Sequence, residues 1–154
     1  KDAVGDPSHV GGGMHQSRPG SKLDIHADFL THPETGFKRV LNLLIYLSFD
    51  YDPTWGGALE LWDAKMRYCA TRIVPAFNRA VLFETSPTSC HGHPEPMSGP
   101  PWARRNSLAL YYYRPYQPGE HVYKGSTNYR PRPWEYRKRL RSWAGRQLRA
   151  VGLR

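Results

Sequence analysis

Short apolar runs in this chain are cut apart at close intervals by glycine and proline, 14 of each in 154 residues. Both residues are costly inside a helix. Both suit the tight turns that join short strands. The runs themselves lean the same way, because they are rich in aromatic and β-branched residues (Tyr 10, Trp 5, Phe 5), which fit a pleated surface. A chain of this length forms one domain with one real core.

The clearest strand signal is residues 22–29, where Leu23, Ile25, Ala27 and Phe29 alternate with Asp24, His26 and Asp28. Alternation of period 2 puts the two sets on opposite faces. Residues 39–48 are almost continuously apolar, as expected of a strand in a sheet interior. Residues 14–16, 58–62, 67–73, 80–84 and 106–113 read as further strands, with turns at 18–21, 53–57 and 75–78. Residues 1–13, 31–38 and the proline-rich stretch 86–101 read as loops. So many short strands at this spacing predict an antiparallel barrel or jelly roll. No internal repeat is visible.

Charge divides the chain. Residues 1–113 hold 11 Lys and Arg against 11 Asp and Glu, whereas residues 114–154 hold 11 basic residues and only Glu120 and Glu135. The whole net charge of +9 therefore sits in the tail, and a body (1–115) with a basic extension (116–154) is the expected organisation. Pro133 opens an amphipathic basic helix over about 133–150, with Tyr136, Leu140, Trp143, Leu148 and Val151 near one face. The tail interleaves basic residues with Tyr116, Tyr123, Tyr129, Trp134 and Trp143, a composition suited to phosphate contact and base stacking. A nucleic-acid or acidic-surface binding module is thus the competing reading. Cys69 and Cys90 are too few for a disulfide framework and predict reduced thiols and a cytoplasmic protein. No apolar run reaches the roughly 18 residues of a membrane span.

Three residues carry the chemistry. His26 and Asp28 share one strand face, so an imidazole and a carboxylate converge. Taken alone, such a pair is most often the polar face of a strand. His91 lies between two predicted strands, and in a jelly roll such distant segments meet at the barrel mouth. Two imidazoles and one carboxylate form the facial triad that holds Fe(II) and leaves positions open. His93 is the rival third ligand. Gly92 and Pro94 mark the chain leaving the strand, which favours His91. His9, His15, His32 and His121 have no evident partner and read as solvated. Arg105 and Ser107 alternate on the strand at 106–113, facing inward with Ala109 and Tyr111. An inward Arg needs an anion, and its planar fork suits a carboxylate. Tyr46, a phenol in an apolar strand, needs a partner too; Asn42 on the same face is a lesser candidate. Trp55, Trp62 and Trp102 could line a pocket or pack in the core.

The segments LDIHADF, RVLNLLIYLSFD, WGGALELWD, IVPAFNRAVLFET, SCHGHP and RRNSLALYYY, in this order, resemble the Fe(II)- and 2-oxoglutarate-dependent dioxygenases, in particular their prolyl-4-hydroxylase-like branch. The resemblance covers about residues 11–113. It implies a mainly β, double-stranded β-helix (jelly-roll or cupin-like) domain. It implies Fe(II) on His26, Asp28 and His91, with 2-oxoglutarate paired to Arg105 and Ser107 and Tyr46 as further donors. O₂ is the co-substrate and ascorbate a candidate auxiliary. The reaction implied is hydroxylation of an unactivated C–H bond, on a small-molecule or peptidyl, proline-type substrate. Related halogenases lack the carboxylate, so Asp28 favours hydroxylation. Collagen-type relatives use a Lys nearer the distal His, whereas here the anion binder is Arg105, past a proline-rich insertion. The family's buttressing N-terminal helices are absent from the sequence, so the chain is expected to be a fragment.

Overall fold

The longest apolar run becomes the middle of a sheet. In the computed structural model, which describes residues 3–135, the strands are β1 (Val4–Gly5), β2 (Gly13–Ser17), β3 (Leu23–Ala27), β4 (Lys38–Tyr46), β5 (Leu59–Trp62), β6 (Cys69–Ile73), β7 (Ala80–Glu84), β8 (His91–His93), β9 (Arg105–Arg114) and β10 (Asn128–Tyr129). A 3-10 turn, Pro53–Trp55, starts at Asp52, whose side chain accepts from the Thr54 amide. The molecule is mainly β, with two antiparallel sheets.

β4 lies between β7 and β9 in the first sheet. Leu43 stands opposite Leu82 on one side and Leu110 on the other. The far edge of β9 takes both β2 and β1. The second sheet runs β10-β3-β8-β5-β6. Between the sheets Tyr46, Leu59 and Val81 pack with Leu44, Leu61, Ile73 and Phe83. On the opposite face of the second sheet, Ile25 and Ala27 pack with Trp62 and Cys90. The alternation of β3 thus sends Ile25 and Ala27 to one core and His26 to the space between the sheets, while Leu23, before a shift in register, stays exposed beside the same cavity as His26.

Three expectations need correction. Residues 1–13 are not all loop, since Val4–Gly5 forms β1 against β9. Residues 91–93 are not loop but strand β8, wedged between β3 and β5. His-Gly-His has no apolar period to announce a strand; its neighbours impose it. Gly92 makes the fit, because a Cβ there would lie 2.7 Å from the Leu23 carbonyl oxygen and 2.9 Å from that of Asp24. His32 is not solvated but buried. Its Nδ1 accepts from the Glu34 and Thr35 amides, and its ring meets Tyr113 edge-on.

Residues 116–135 run back over the body. Glu120 pairs with Arg114 and Lys38, the Tyr116 hydroxyl meets Thr31 Oγ1 at 2.7 Å, and β10 adds a strand to the edge of β3. Trp134 lies against Trp62, and Arg132 pairs with Glu95 and Glu135. Residues 133–135 are helical; the rest of the basic helix expected to about residue 150 lies outside the described residues. Among the described residues, no helix is long and apolar enough to cross a membrane. Cys69 and Cys90 are both free.

Candidate metal centre

Strand pairing, not sequence proximity, brings the three candidate ligands together. β3 and β8 pair with His26 directly opposite His91, and the ring centroids lie 4.5 Å apart. Asp28 follows one residue beyond the end of β3, still on the face of His26. One ligand atom from each of His26, Asp28 and His91 lies within 4.8 Å of the others. His26 Nε2 is 3.5 Å from Asp28 Oδ1, and His91 Nε2 is 3.5 Å from Asp28 Oδ2.

Both rings are fixed in the same way. His26 Nδ1 donates to the Asp24 carbonyl oxygen at 2.8 Å, and His91 Nδ1 to that of Ser89 at 3.1 Å. These bonds set the tautomer and leave each Nε2 lone pair free for a metal. The Phe83 ring meets His91 edge-on. Burial pushes the His91 pKa down to about 4, against the pull of Asp28. The ring is therefore neutral at neutral pH, as a ligand must be. Burial by itself would raise Asp28. The neighbouring His26, His91 and Arg39, with the Asn42 amide, outweigh it and hold the carboxyl well below the usual range.

The holders of Asp28 were not legible as such. Asn42 Nδ2 donates to Asp28 Oδ2 at 2.7 Å, while Asn42 Oδ1 accepts from Arg39 Nε at 2.7 Å. Asn42 thus serves the carboxylate of Asp28, not an anion beside Arg105. Arg39 Nη2 adds an ion pair at 3.0 Å, out of line for a hydrogen bond. Its guanidinium lies over Tyr111, 3.3 Å from the ring centroid, and 4.9 Å from that of Phe29. The one sequence signal was the Arg-x-x-Asn spacing at the start of an apolar strand, which buries both polar groups with no evident partner.

The same cavity continues to Arg105. His26, Asp28, His91, His93, Arg105 and Ser107 line it. Arg105 and Ser107 face inward from β9, and Tyr46 on β4 stands opposite Ser107. Arg105 is 6% exposed. Its Nε donates to the Gly57 carbonyl at 2.8 Å and its Nη2 to the Tyr46 hydroxyl at 3.4 Å. Gly57 has φ +65°, and a Cβ there would meet Arg105 Cδ at 3.1 Å. Burial lowers the Arg105 pKa and raises that of Tyr46. No carboxylate pairs with Arg105 among the described residues, so a buried cation is left for an anionic ligand. His93 is the surprise: it shares β8 and the cavity with His91 but lies outside the three-residue group. Trp55, Trp62 and Trp102 do not line this cavity; Trp55 and Trp102 meet edge-on elsewhere.

Residues 12–113 match the profile of the 2OG-Fe(II) oxygenase superfamily. The chain is similar to the prolyl 3-hydroxylase OGFOD1 of Mus musculus, 27% identical over 99 residues, which are 62% of this chain and 18% of that protein. It thus spans under a fifth of that relative's length. Among solved structures it is similar to a prolyl 4-hydroxylase from Phytophthora capsici (TM-score 0.48, 21% identity, 65% of this chain and 30% of the other). It is also similar to a prolyl hydroxylase from Trichoplax adhaerens in complex with a hypoxia inducible factor peptide fragment (TM-score 0.47, 25% identity, 65% and 41%). Fe(II), 2-oxoglutarate and O₂ are the cofactors that go with the matched profile. With the profile extending over most of the chain, the protein belongs to the 2OG-Fe(II) oxygenase superfamily.

Proposed function

We propose that this chain is an Fe(II)- and 2-oxoglutarate-dependent dioxygenase that hydroxylates an unactivated C–H bond, converting 2-oxoglutarate to succinate and CO₂. The observation that carries this reading is the meeting of two imidazoles and one carboxylate in a cavity that also holds an unpaired buried Arg. The donor set fits Fe(II): two imidazole Nε2 atoms and one ionised carboxylate. His26, Asp28 and His91 would hold the metal. Arg105, with Ser107 and Tyr46, would hold the distal carboxylate of 2-oxoglutarate. Bound iron supplies the oxygen activation.

The protein's own residues supply the rest. The Asp24 and Ser89 carbonyls aim the two rings. Asn42 and Arg39 keep the carboxylate of Asp28 ionised and oriented. Leu44 and Leu59 give the cavity apolar walls. The two sheets are read as a double-stranded β-helix, with residues 1–115 as the catalytic unit and 116–154 as an extension. The similarity to a prolyl 3-hydroxylase makes a peptidyl proline the first substrate to test, ahead of a free small molecule.

The test is direct. The chain is mixed with Fe(II), 2-oxoglutarate and ascorbate without oxygen, and succinate is measured after exposure to air. Wild type forms succinate, and His26→Ala drops to the background of free iron. Wild-type levels from His26→Ala would show that the site is elsewhere.

A further inference from the structure

His93 is a buried polar side chain that the protein leaves unmet. It is 5% exposed, and its Nδ1 is buried with no hydrogen-bond partner among the described residues. A buried unpaired polar atom is destabilising. His26 and His91 avoid this by placing Nδ1 on a backbone carbonyl. An apolar side chain at position 93 would fill the same space without the penalty.

Its position says what would meet the need. On β8, residues 91 and 93 point to the same side, so His93 faces the cavity beside His91, and Arg105 lines that cavity with it. An imidazole carries an N–H donor on one of its ring nitrogens. His93 and the Arg105 guanidinium line one cavity, so both can donate to one anion.

We propose that His93 is a cosubstrate-binding residue, its imidazole donating a hydrogen bond to a carboxylate of the 2-oxoglutarate that Arg105 holds. This rests on the reading of the cavity as the 2-oxoglutarate site and adds a donor on β8 to the set on β4 and β9. A hydrogen bond to a charged group is among the stronger ones, so its loss weakens binding about tenfold or more.

The experiment is a calorimetric titration of the full chain without oxygen, first with Mn(II), then with 2-oxoglutarate. It compares wild type with His93→Leu, and with His93→Gln, which restores a donor. The expected result is unchanged Mn(II) affinity in all three, 2-oxoglutarate binding weakened about tenfold or more in His93→Leu, and partial recovery in His93→Gln. Thermal melting confirms that each variant is folded; if His93→Leu does not fold, His93→Phe takes its place. Binding of 2-oxoglutarate to the apolar variant within about twofold of wild type overturns the inference. So does loss of Mn(II) from that variant, which would make His93 a metal ligand. Wild type that takes Mn(II) but no 2-oxoglutarate sinks the proposed function itself.

Discussion

Asp28 is the most constrained side chain of the site, with Oδ1 facing His26 and Oδ2 shared by Asn42, Arg39 and His91. Asn42 ties this group together, because its amide links the guanidinium of Arg39 to the carboxylate. Groups that hold a ligand in place typically matter about 10–100-fold in metal affinity. Asn42→Ala is therefore expected to weaken Mn(II) binding in that range, read by titration. It should also lower stability, because Arg39 Nε loses its acceptor in a buried place. Unchanged metal affinity would mean that Arg39 alone suffices to orient Asp28. At this scale the sequence told much. His26, Asp28 and Arg105 were legible from alternation, because β3 sends alternate residues to two different faces and β9 has one buried face. Asn42 and Arg39 were not, because a buried polar pair in an apolar strand reveals its partner only when the strands are placed. His91 was favoured over His93 only by Gly92 and Pro94 beside them, because no period surrounds two residues this close together.

The elements explain that ambiguity. β8 has three residues and no apolar pattern, and it exists because β3 and β5 flank it. Strands long enough to show alternation or an apolar run (β2 to β7 and β9) were legible; β1, β8 and β10, of two or three residues, were not. Gly92 on β8 lies against the β3 backbone with no room for a Cβ. Gly92→Ala would push a methyl group into the Leu23 and Asp24 carbonyls and separate His91 from His26. Overpacking of this kind costs about 1–3 kcal/mol, so a lower melting temperature together with weaker Mn(II) binding is expected. A variant that melts and binds metal like wild type would show that the two strands can part without disturbing the ligands.

On the scale of the molecule, the near-neutral body and the basic extension are not independent. Residues 116–135 reach across the second sheet, and β10 covers an edge of β3 that would otherwise present unpaired backbone groups. Exposed sheet edges invite pairing between chains. A chain ending at residue 115 is expected to melt earlier than the full chain and to self-associate in light scattering. A truncated chain that stays monomeric and equally stable would mean that the extension contributes nothing to the sheet. The split of charge was plain in the sequence, whereas the packing of Trp134 on Trp62 and of Tyr116 on Thr31 was not, since neither segment carries a period that points to its partner.

The central claim is that His26, Asp28 and His91, not His93, form one metal site facing Arg105. Anomalous diffraction from crystals grown with Mn(II) and 2-oxoglutarate tests it most directly. The account predicts one strong peak bound by His26 Nε2, a carboxylate oxygen of Asp28 and His91 Nε2, with the distal carboxylate of 2-oxoglutarate on Arg105. A peak that takes His93 in place of His91, or that lies away from Asp28, would contradict it.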